Sequence, residues 1–136
     1  GNYILSDDAN VPSLLSAPYL GFCSKNDPVY EATRDFVLSK DNPFYFEGKY
    51  AKGVGSPHTP KNYVWHIALS MQGLTAKDKD EKLSLLKMLV STTDGTDLMH
   101  EGFDVNDPSK YTRPWFAWSC SLLCEFVMHC LDEGVI

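Results

Sequence analysis

The stretch TDLMHEGFDVNDPSKYTRPWFAW, residues 96–118, joins a strongly polar loop to one of the most apolar segments of the chain. Its polar part places a single glutamate, Glu101, beside His100, and several turn-forming residues follow. The arginine-proline pair at 113–114 then leads into an apolar run that extends to about Leu131. Four polar residues interrupt that run, so it predicts a helix in a protein core and not a membrane span. The loop therefore lies at the amino-terminal end of a buried helix.

The chain has 136 residues, which is long enough for one domain with a substantial core. Hydrophobic residues make up 43% and charged residues 22%, as in an ordinary globular protein. The formal net charge is −6 and no basic stripe is present, which argues against a nucleic-acid partner. No membrane-spanning segment is evident, so no membrane partner is expected.

Apolar periodicity and start and stop signals predict five helices. Asp27-Pro28 marks one helix start, and Thr75 followed by Asp78 resembles a capping box at another. Gly73 fits a helix stop. A short extended piece is expected at about 44–47. The predicted helices cover approximately 11–22, 28–39, 63–72, 76–91 and 114–131.

The first, third and fifth predicted helices contain few charged residues and resemble an inner layer. The second and fourth have a charged face and resemble an outer layer. The inner helices start at about residues 11, 63 and 114, a spacing typical of repeated helix pairs. An elaborate loop precedes each inner helix. If these helices point the same way, the three loops converge on one rim, where helix amino termini add partial positive charge. Long loops that only cover a surface are the plainer alternative.

The four cysteines do not form the pattern of a disulfide framework. Cys120 and Cys124 share a face of the last predicted helix, but no further ligands complete a metal site. Buried core thiols are the favoured interpretation. Free cysteines favour the cytoplasm, although localisation stays open because the native amino terminus is expected to lie further upstream.

Three stretches carry a resemblance to a known family: DDANVPSLLSAPYLGF (7–22), DPVYEATRDFVLSKDNPFYFEGKYAKGVGSPHTP (27–60) and MHEGFDVNDPSKYTRPWFAW (99–118). They resemble glycoside hydrolase family 125, the exo-α-1,6-mannosidases. The resemblance implies an all-α fold, an (α/α)6 barrel of alternating inner and outer helices. Five helices cannot close such a ring. Residues 1–136 are therefore expected to form the C-terminal segment of a single catalytic domain whose remainder lies upstream.

The resemblance also implies the chemistry: release of terminal α-1,6-linked mannose from an oligosaccharide or N-glycan, with inversion and without a metal or other cofactor. Glu101 stands where the family has its general base, and the general acid is expected upstream of this chain. An inverting enzyme needs two carboxyl groups roughly 6.5–9.5 Å apart. From the residues alone, Glu101 could equally be a helix cap or a solvated loop residue. The family often has serine where this chain has Gly102, a change that would loosen the loop.

Other residues of the three loops are candidates for sugar binding. Asp7, Asp8 and Asn10 are candidates for hydrogen bonds to sugar hydroxyls; alternatively, the aspartates cap a helix together with Asn10. His58 lies between two prolines in a glycine-rich loop, where it binds a hydroxyl or supports the turn. His100 and Arg113 are further candidates, and Arg113 could orient Glu101 or form a structural ion pair. Among the aromatic residues Trp115 is the favoured candidate, with Trp65 and Trp118 as the others. Each of the three either stacks on a sugar or belongs to the core.

Two other functions remain open at this stage. One is another helical-toroid glycosidase, such as a glucoamylase-like enzyme, which differs in its substrate. The other is a non-catalytic helical fragment or binding module, because the expected acid is not in this chain. Activity on mannosides or on glucosides separates the first alternative from the mannosidase, and the length of the native protein bears on the second.

Overall fold

The computed structural model describes all 136 residues, which form four helices and five short strands. The helices are α1 (Pro28–Val37), α2 (His66–Thr75), α3 (Lys79–Ser91) and α4 (Ala117–Asp132). The strands are β1 (Tyr45–Glu47), β2 (Lys52–Val54), β3 (Tyr63–Trp65), β4 (Gly102–Asp104) and β5 (Asp107–Thr112). No helix is both long enough and apolar enough to cross a membrane.

The prediction of an all-α fold, a partial (α/α)6 barrel, is wrong for this chain. Strands β1 and β2 pair antiparallel, and a second antiparallel sheet has the order β3-β4-β5. Four of the strands have only three residues, too few for their period of two to stand out in the sequence. The β4–β5 turn is held by Asp104, whose Oδ1 accepts the Asn106 N–H at 2.8 Å. Pro108 and Lys110 fall on β5, an edge strand, where such residues are tolerated.

The helix predicted at 11–22 is absent, and turns occupy this segment. Two serines compete with helical hydrogen bonding here. The Ser13 N–H donates to Ser16 Oγ at 2.8 Å, and Ser16 Oγ donates to the Ser13 carbonyl at 2.8 Å. Side chains that satisfy nearby backbone groups offer the chain an alternative to helix. Gly21 then adopts φ +76°, a left-handed conformation that ends the segment in a turn.

Helices α1 and α3 begin at aspartates that act as N-caps. The Asp27 side chain accepts hydrogen bonds from the backbone N–H groups of residues 29 and 30, and Pro28 occupies the first turn. In α3 the cap is Asp78, which accepts from residues 80 and 81. The capping box predicted to start at Thr75 is not formed, because Thr75 is the last residue of α2 and its hydroxyl donates to the Met71 carbonyl.

Helix α2 lies at the centre of the molecule and packs against α3 and α4; nine of its ten residues are buried. Gly73 lies inside this helix and does not stop it. A Cβ atom at Gly73 would be only 2.1 Å from Cζ of Phe126 on α4. The glycine is therefore required for close approach of the two helices and not for helix termination.

The core consists of two clusters on either side of α2. One contains Leu69, Leu89, Phe103 and Phe126, and the other contains Val37, Val54 and Trp65. The cysteines only partly follow the expectation of buried thiols. All four are free, but only Cys130 is buried and Cys124 is exposed.

Candidate active site

A cavity of about 530 Å³ opens where the three elaborate loops meet. It combines polar side chains from each loop with aromatic side chains from the first residues of α4 and the end of β3. Its lining consists of Asn10, His58, Trp65, Glu101, Arg113, Phe116, Ala117 and Trp118. The structure thus brings together four of the residues predicted for the site: Asn10, His58, Glu101 and Arg113.

Glu101 is the carboxylate of this cavity. It directly precedes β4, and its backbone N–H donates to the Thr112 carbonyl on β5 at 3.1 Å. Its side chain is 14% exposed and forms an ion pair with Arg113, whose Nε lies 3.0 Å from Oε2. The other carboxylate oxygen, Oε1, has no ion-pair partner. A partly buried carboxylate with one oxygen held and the other free is suited to proton abstraction.

Arg113 contributes a cation whose backbone is unusual. Its φ is +49°, in the left-handed region that non-glycine residues seldom adopt. The guanidinium carbon lies 5.7 Å from the centre of the Phe116 ring, within cation–π range. The side chain is 65% exposed, so the aromatic ring and Glu101 fix its direction and leave its remaining donors accessible. Arginine in this position can donate several hydrogen bonds at once.

Gly102 does not loosen the loop, in contrast to the expectation from the sequence. It is buried in β4, where it pairs with Trp65 on β3 and Thr112 on β5. A Cβ atom here would lie 3.0 Å from Cδ1 of Trp65 and 3.3 Å from Cγ2 of Thr59. The missing side chain lets Trp65 pack over the strand, where its Nε1–H donates to Thr59 Oγ1 at 2.9 Å.

Asp8 supports the cavity from behind its wall. Its Oδ2 accepts hydrogen bonds from Asn10 Nδ2 at 3.1 Å and from Ser56 Oγ at 3.2 Å. Ser56 Oγ in turn accepts the backbone N–H of His58 at 3.3 Å. This network links the first two loops. It orients Asn10 and fixes the backbone of His58, and both residues line the cavity.

Asp7 has a different environment, although it is the neighbour of Asp8. Its Oδ2 accepts the Leu14 N–H at 3.0 Å and so caps the turn that follows. Burial raises the pKa of Asp7 above its usual value, a direction that the hydrogen bonds from Leu14 and Leu15 oppose. Asp7 does not line the cavity.

The structure places two other predicted residues away from the cavity lining. His100 is fully buried, and both of its ring nitrogens lie against backbone carbonyl oxygens. Trp115 is 66% exposed but faces elsewhere, whereas Trp118, 68% exposed, lines the cavity. Phe116 and Ala117 were missed in the sequence analysis. Their position at the start of the last predicted helix could have identified them, because residues that flank a helix amino terminus lie next to the space in front of it.

Two helices begin at or next to residues that line the cavity. Helix α2 begins directly after Trp65, and α4 begins at Ala117; neither has a side-chain cap. Uncapped helix starts carry partial positive charge, which favours electron-rich oxygen atoms nearby. No group of three or more His, Cys, Asp or Glu side chains is arranged to hold a metal ion.

Comparison with known proteins identifies the family of the chain. Residues 1–128 match the model of the metal-independent alpha-mannosidase family, GH125. The match covers nearly the whole chain, and the chain belongs to this family of glycoside hydrolases.

Two relatives define how much of a full-length member the chain represents. The chain is 48% identical over 134 residues to the meiotically up-regulated gene 157 protein of Schizosaccharomyces pombe. The matched region covers 98% of this chain and 26% of that protein. The chain is 55% identical to a Streptococcus pneumoniae metal-independent alpha mannosidase solved in a non-productive substrate complex with alpha-1,6-mannobiose. The TM-score is 0.94, with 97% of this chain and 31% of that chain covered. The chain thus spans about a quarter to a third of these relatives.

Proposed function

We propose that the full-length protein carrying this chain hydrolyses terminal α-1,6-linked mannose from oligosaccharides, with inversion at the anomeric carbon. The observation that carries the proposal is the position of Glu101. Its carboxylate faces a cavity of about 530 Å³ and is held by Arg113 on one oxygen only. The similarity to a mannosidase solved with alpha-1,6-mannobiose supports mannose as the sugar.

In the proposed reaction Glu101 acts as general base. Its carboxylate removes a proton from a water molecule while the water oxygen attacks the anomeric carbon. The bond from that carbon to the glycosidic oxygen breaks, and the leaving oxygen takes a proton from a carboxylic acid. That acid is expected in the part of the catalytic domain upstream of this chain. Arg113 orients the base through Oε2, which leaves Oε1 for the water.

The remaining lining divides into two walls with different roles. Asn10 and His58 present hydrogen-bonding groups to the sugar hydroxyls. The aromatic residues Trp65, Phe116 and Trp118 provide apolar surface and form the aromatic wall of the cavity. Sugar sites commonly combine both, because a pyranose ring has polar edges and apolar faces.

The proposal is tested by replacing Glu101 with glutamine in the full-length protein and assaying α-1,6-mannobiose hydrolysis. Glutamine keeps the size of the side chain but cannot accept the proton, and we expect kcat to fall by about 100-fold or more. Glu47→Gln is the matched control. Glu47 is an exposed glutamate on β1, outside the cavity, and this variant should retain wild-type kcat.

Stereochemistry and substrate provide independent readouts. NMR of the first product formed by the wild-type protein should show β-mannose, because inversion of an α-linkage gives the β-anomer. Full activity of Glu101→Gln would refute the assignment of the base. Initial release of α-mannose would refute inversion, and hydrolysis of glucosides in preference to mannosides would refute the proposed substrate.

A further inference from the structure

Two histidines, His66 and His100, are fully buried behind the cavity and are in contact with each other. Their ring centres are 5.4 Å apart. His66 is the first residue of α2, directly after Trp65, and His100 directly precedes Glu101. Each is therefore adjacent in sequence to a residue that lines the cavity, although neither lines it itself.

The hydrogen bonds of His66 require one particular tautomer. Its Nδ1 accepts the backbone N–H of His100 at 2.8 Å, so Nδ1 carries no hydrogen. The hydrogen is on Nε2, which donates to Thr92 Oγ1 at 3.0 Å. That hydroxyl in turn donates to the Met88 carbonyl at 2.8 Å. Burial, together with the neighbouring His100, lowers the pKa of His66 to about 3, so the ring stays neutral and Nδ1 remains an acceptor.

The ring of His100 links this hydrogen-bond network to the segment that carries Arg113. Its Nδ1 lies 2.7 Å from the Pro114 carbonyl, and its Nε2 lies 3.2 Å from the Thr93 carbonyl. A carbonyl oxygen only accepts, and we assign the hydrogen of a singly protonated ring to Nδ1 because its contact is the shorter one. The ring also stacks on Tyr111, with centres 3.9 Å apart and planes 7° from parallel. These contacts leave the His100 ring no freedom to reorient.

The strained backbone of Arg113 lies between these fixed points. Its left-handed conformation, φ +49°, is energetically unfavourable and persists only where surrounding contacts enforce it. The His100 ring binds the carbonyl of the next residue, Pro114, and on the preceding side the Thr112 carbonyl accepts the Glu101 N–H at 3.1 Å. The two backbone segments that carry the Glu101–Arg113 ion pair are thus joined on both sides of Arg113.

We infer that His66 and His100 are positioning residues, which fix the backbone of Glu101 and Arg113 against the start of α2 and so set the direction of the base. Neither ring would touch the sugar. The inference rests on the proposed function, since it concerns the geometry of the same base. It gives His100 a role behind the cavity wall in place of the sugar contact expected from the sequence.

Two substitutions of His66 separate this role from general packing. In His66→Asn the side-chain oxygen occupies a position close to that of Nδ1 and can still accept the His100 N–H. His66→Gln places its polar group close to Nε2, so it can reach Thr92 but leaves the His100 N–H without a partner. In the full-length protein we expect His66→Asn to retain kcat within about threefold, and His66→Gln to lose about 10–100-fold in kcat with little change in KM.

The control is Leu89→Ala. Leu89 is a fully buried core residue of α3, and this truncation destabilises the protein without touching the cavity. It should leave kcat unchanged below its unfolding temperature. Crystal structures of the full-length variants provide a readout besides activity. In His66→Gln the separation of Arg113 Nε and Glu101 Oε2 should exceed the 3.0 Å of the native pair, and in Leu89→Ala it should not.

The outcomes distinguish the two proposals. If Glu101→Gln is inactive while His66→Gln has wild-type kcat and an unchanged ion pair, the positioning role is wrong and the proposed function stands. If Glu101→Gln is fully active, the assigned base is wrong and the positioning role loses its purpose. Should His66→Gln fail to fold, His100→Gln decides in its place. It lacks a donor at the position of Nδ1, and wild-type kcat in that variant would overturn the inference.

Discussion

Nε of Arg113 lies 3.0 Å from Oε2 of Glu101, although the two are twelve positions apart in sequence and neither belongs to a helix. The β4–β5 hairpin makes this contact possible. Glu101 precedes the first strand and Arg113 follows the second, so antiparallel pairing returns the chain to its starting point. The ion pair closes the open end of the hairpin and faces the cavity.

If Glu101 is the base, replacing Arg113 by glutamine should reduce kcat/KM for α-1,6-mannobiose by about 10–100-fold in the full-length protein, because Glu101 loses the cation paired with it. Arg113→Lys should fall between this variant and wild type, since lysine keeps the charge but not the planar donor geometry. Steady-state kinetics measure the effect.

Lys110→Gln is the matched control for Arg113. Lys110 is also a cation on this hairpin, and its side chain is 64% exposed, close to the 65% of Arg113, but it pairs with Asp107 outside the cavity. The variant should behave as wild type, because exposed pairs of this kind contribute little. Equal losses in both variants would show that cations on the hairpin act through overall charge and not through Glu101.

Two tryptophans allow a test of the aromatic wall. Trp118 and Trp115 have nearly equal exposure, 68% and 66%, but only Trp118 lines the cavity. If Trp118 stacks on a sugar ring, Trp118→Ala should raise KM about tenfold, which corresponds to about 1.4 kcal/mol of binding. Trp115→Ala should leave KM unchanged. The reverse result would restore Trp115, the aromatic residue favoured by the sequence.

The contact of Gly73 with Phe126 predicts a stability effect far from the cavity. Gly73→Ala would place Cβ 2.1 Å from the Phe126 ring, and we expect a loss of about 1–3 kcal/mol in the free energy of unfolding. Denaturant unfolding of the full-length protein measures it.

The reason for that loss can be isolated with a double-mutant cycle. Phe126→Leu removes the ring atoms that a Cβ at residue 73 would meet. The penalty of Gly73→Ala should therefore be smaller in the Phe126→Leu background than in the wild-type background. Additive effects of the two substitutions would mean that the penalty does not arise from this contact.

Local signals in the sequence located some elements well. Asp27 caps α1 as predicted, through hydrogen bonds to residues two and three positions ahead, so the information lies within one turn. For α3 the predicted cap was Thr75, whereas the cap in the structure is Asp78. The same local logic failed for residues 11–22 and for Gly73. In the first case Ser13 and Ser16 bond to each other, and in the second the glycine accommodates a ring from another helix.

The candidate site, too, was predicted only in part from the sequence. The sequence indicated Asn10, His58, Glu101 and Arg113 as candidates, and in the structure these four residues line one cavity. It did not distinguish Asp7 from Asp8, and it favoured Trp115 over Trp118, although Trp118 lines the cavity and Trp115 does not. Adjacent or nearly adjacent side chains point in different directions, and the choice depends on partners such as Ser56, 48 residues from Asp8 in sequence.

The sequence by itself determined the amphipathic helices α1 and α3, the cap at Asp27, the family and the loops that carry the polar side chains, because each depends on residues close together in the chain or on a motif. Only the tertiary structure decided that short strands join β3, β4 and β5, that His100 is buried, and that Trp118 faces the cavity. These features arise from pairing and packing between segments far apart in the chain, whose free energy depends on contacts that no local pattern records.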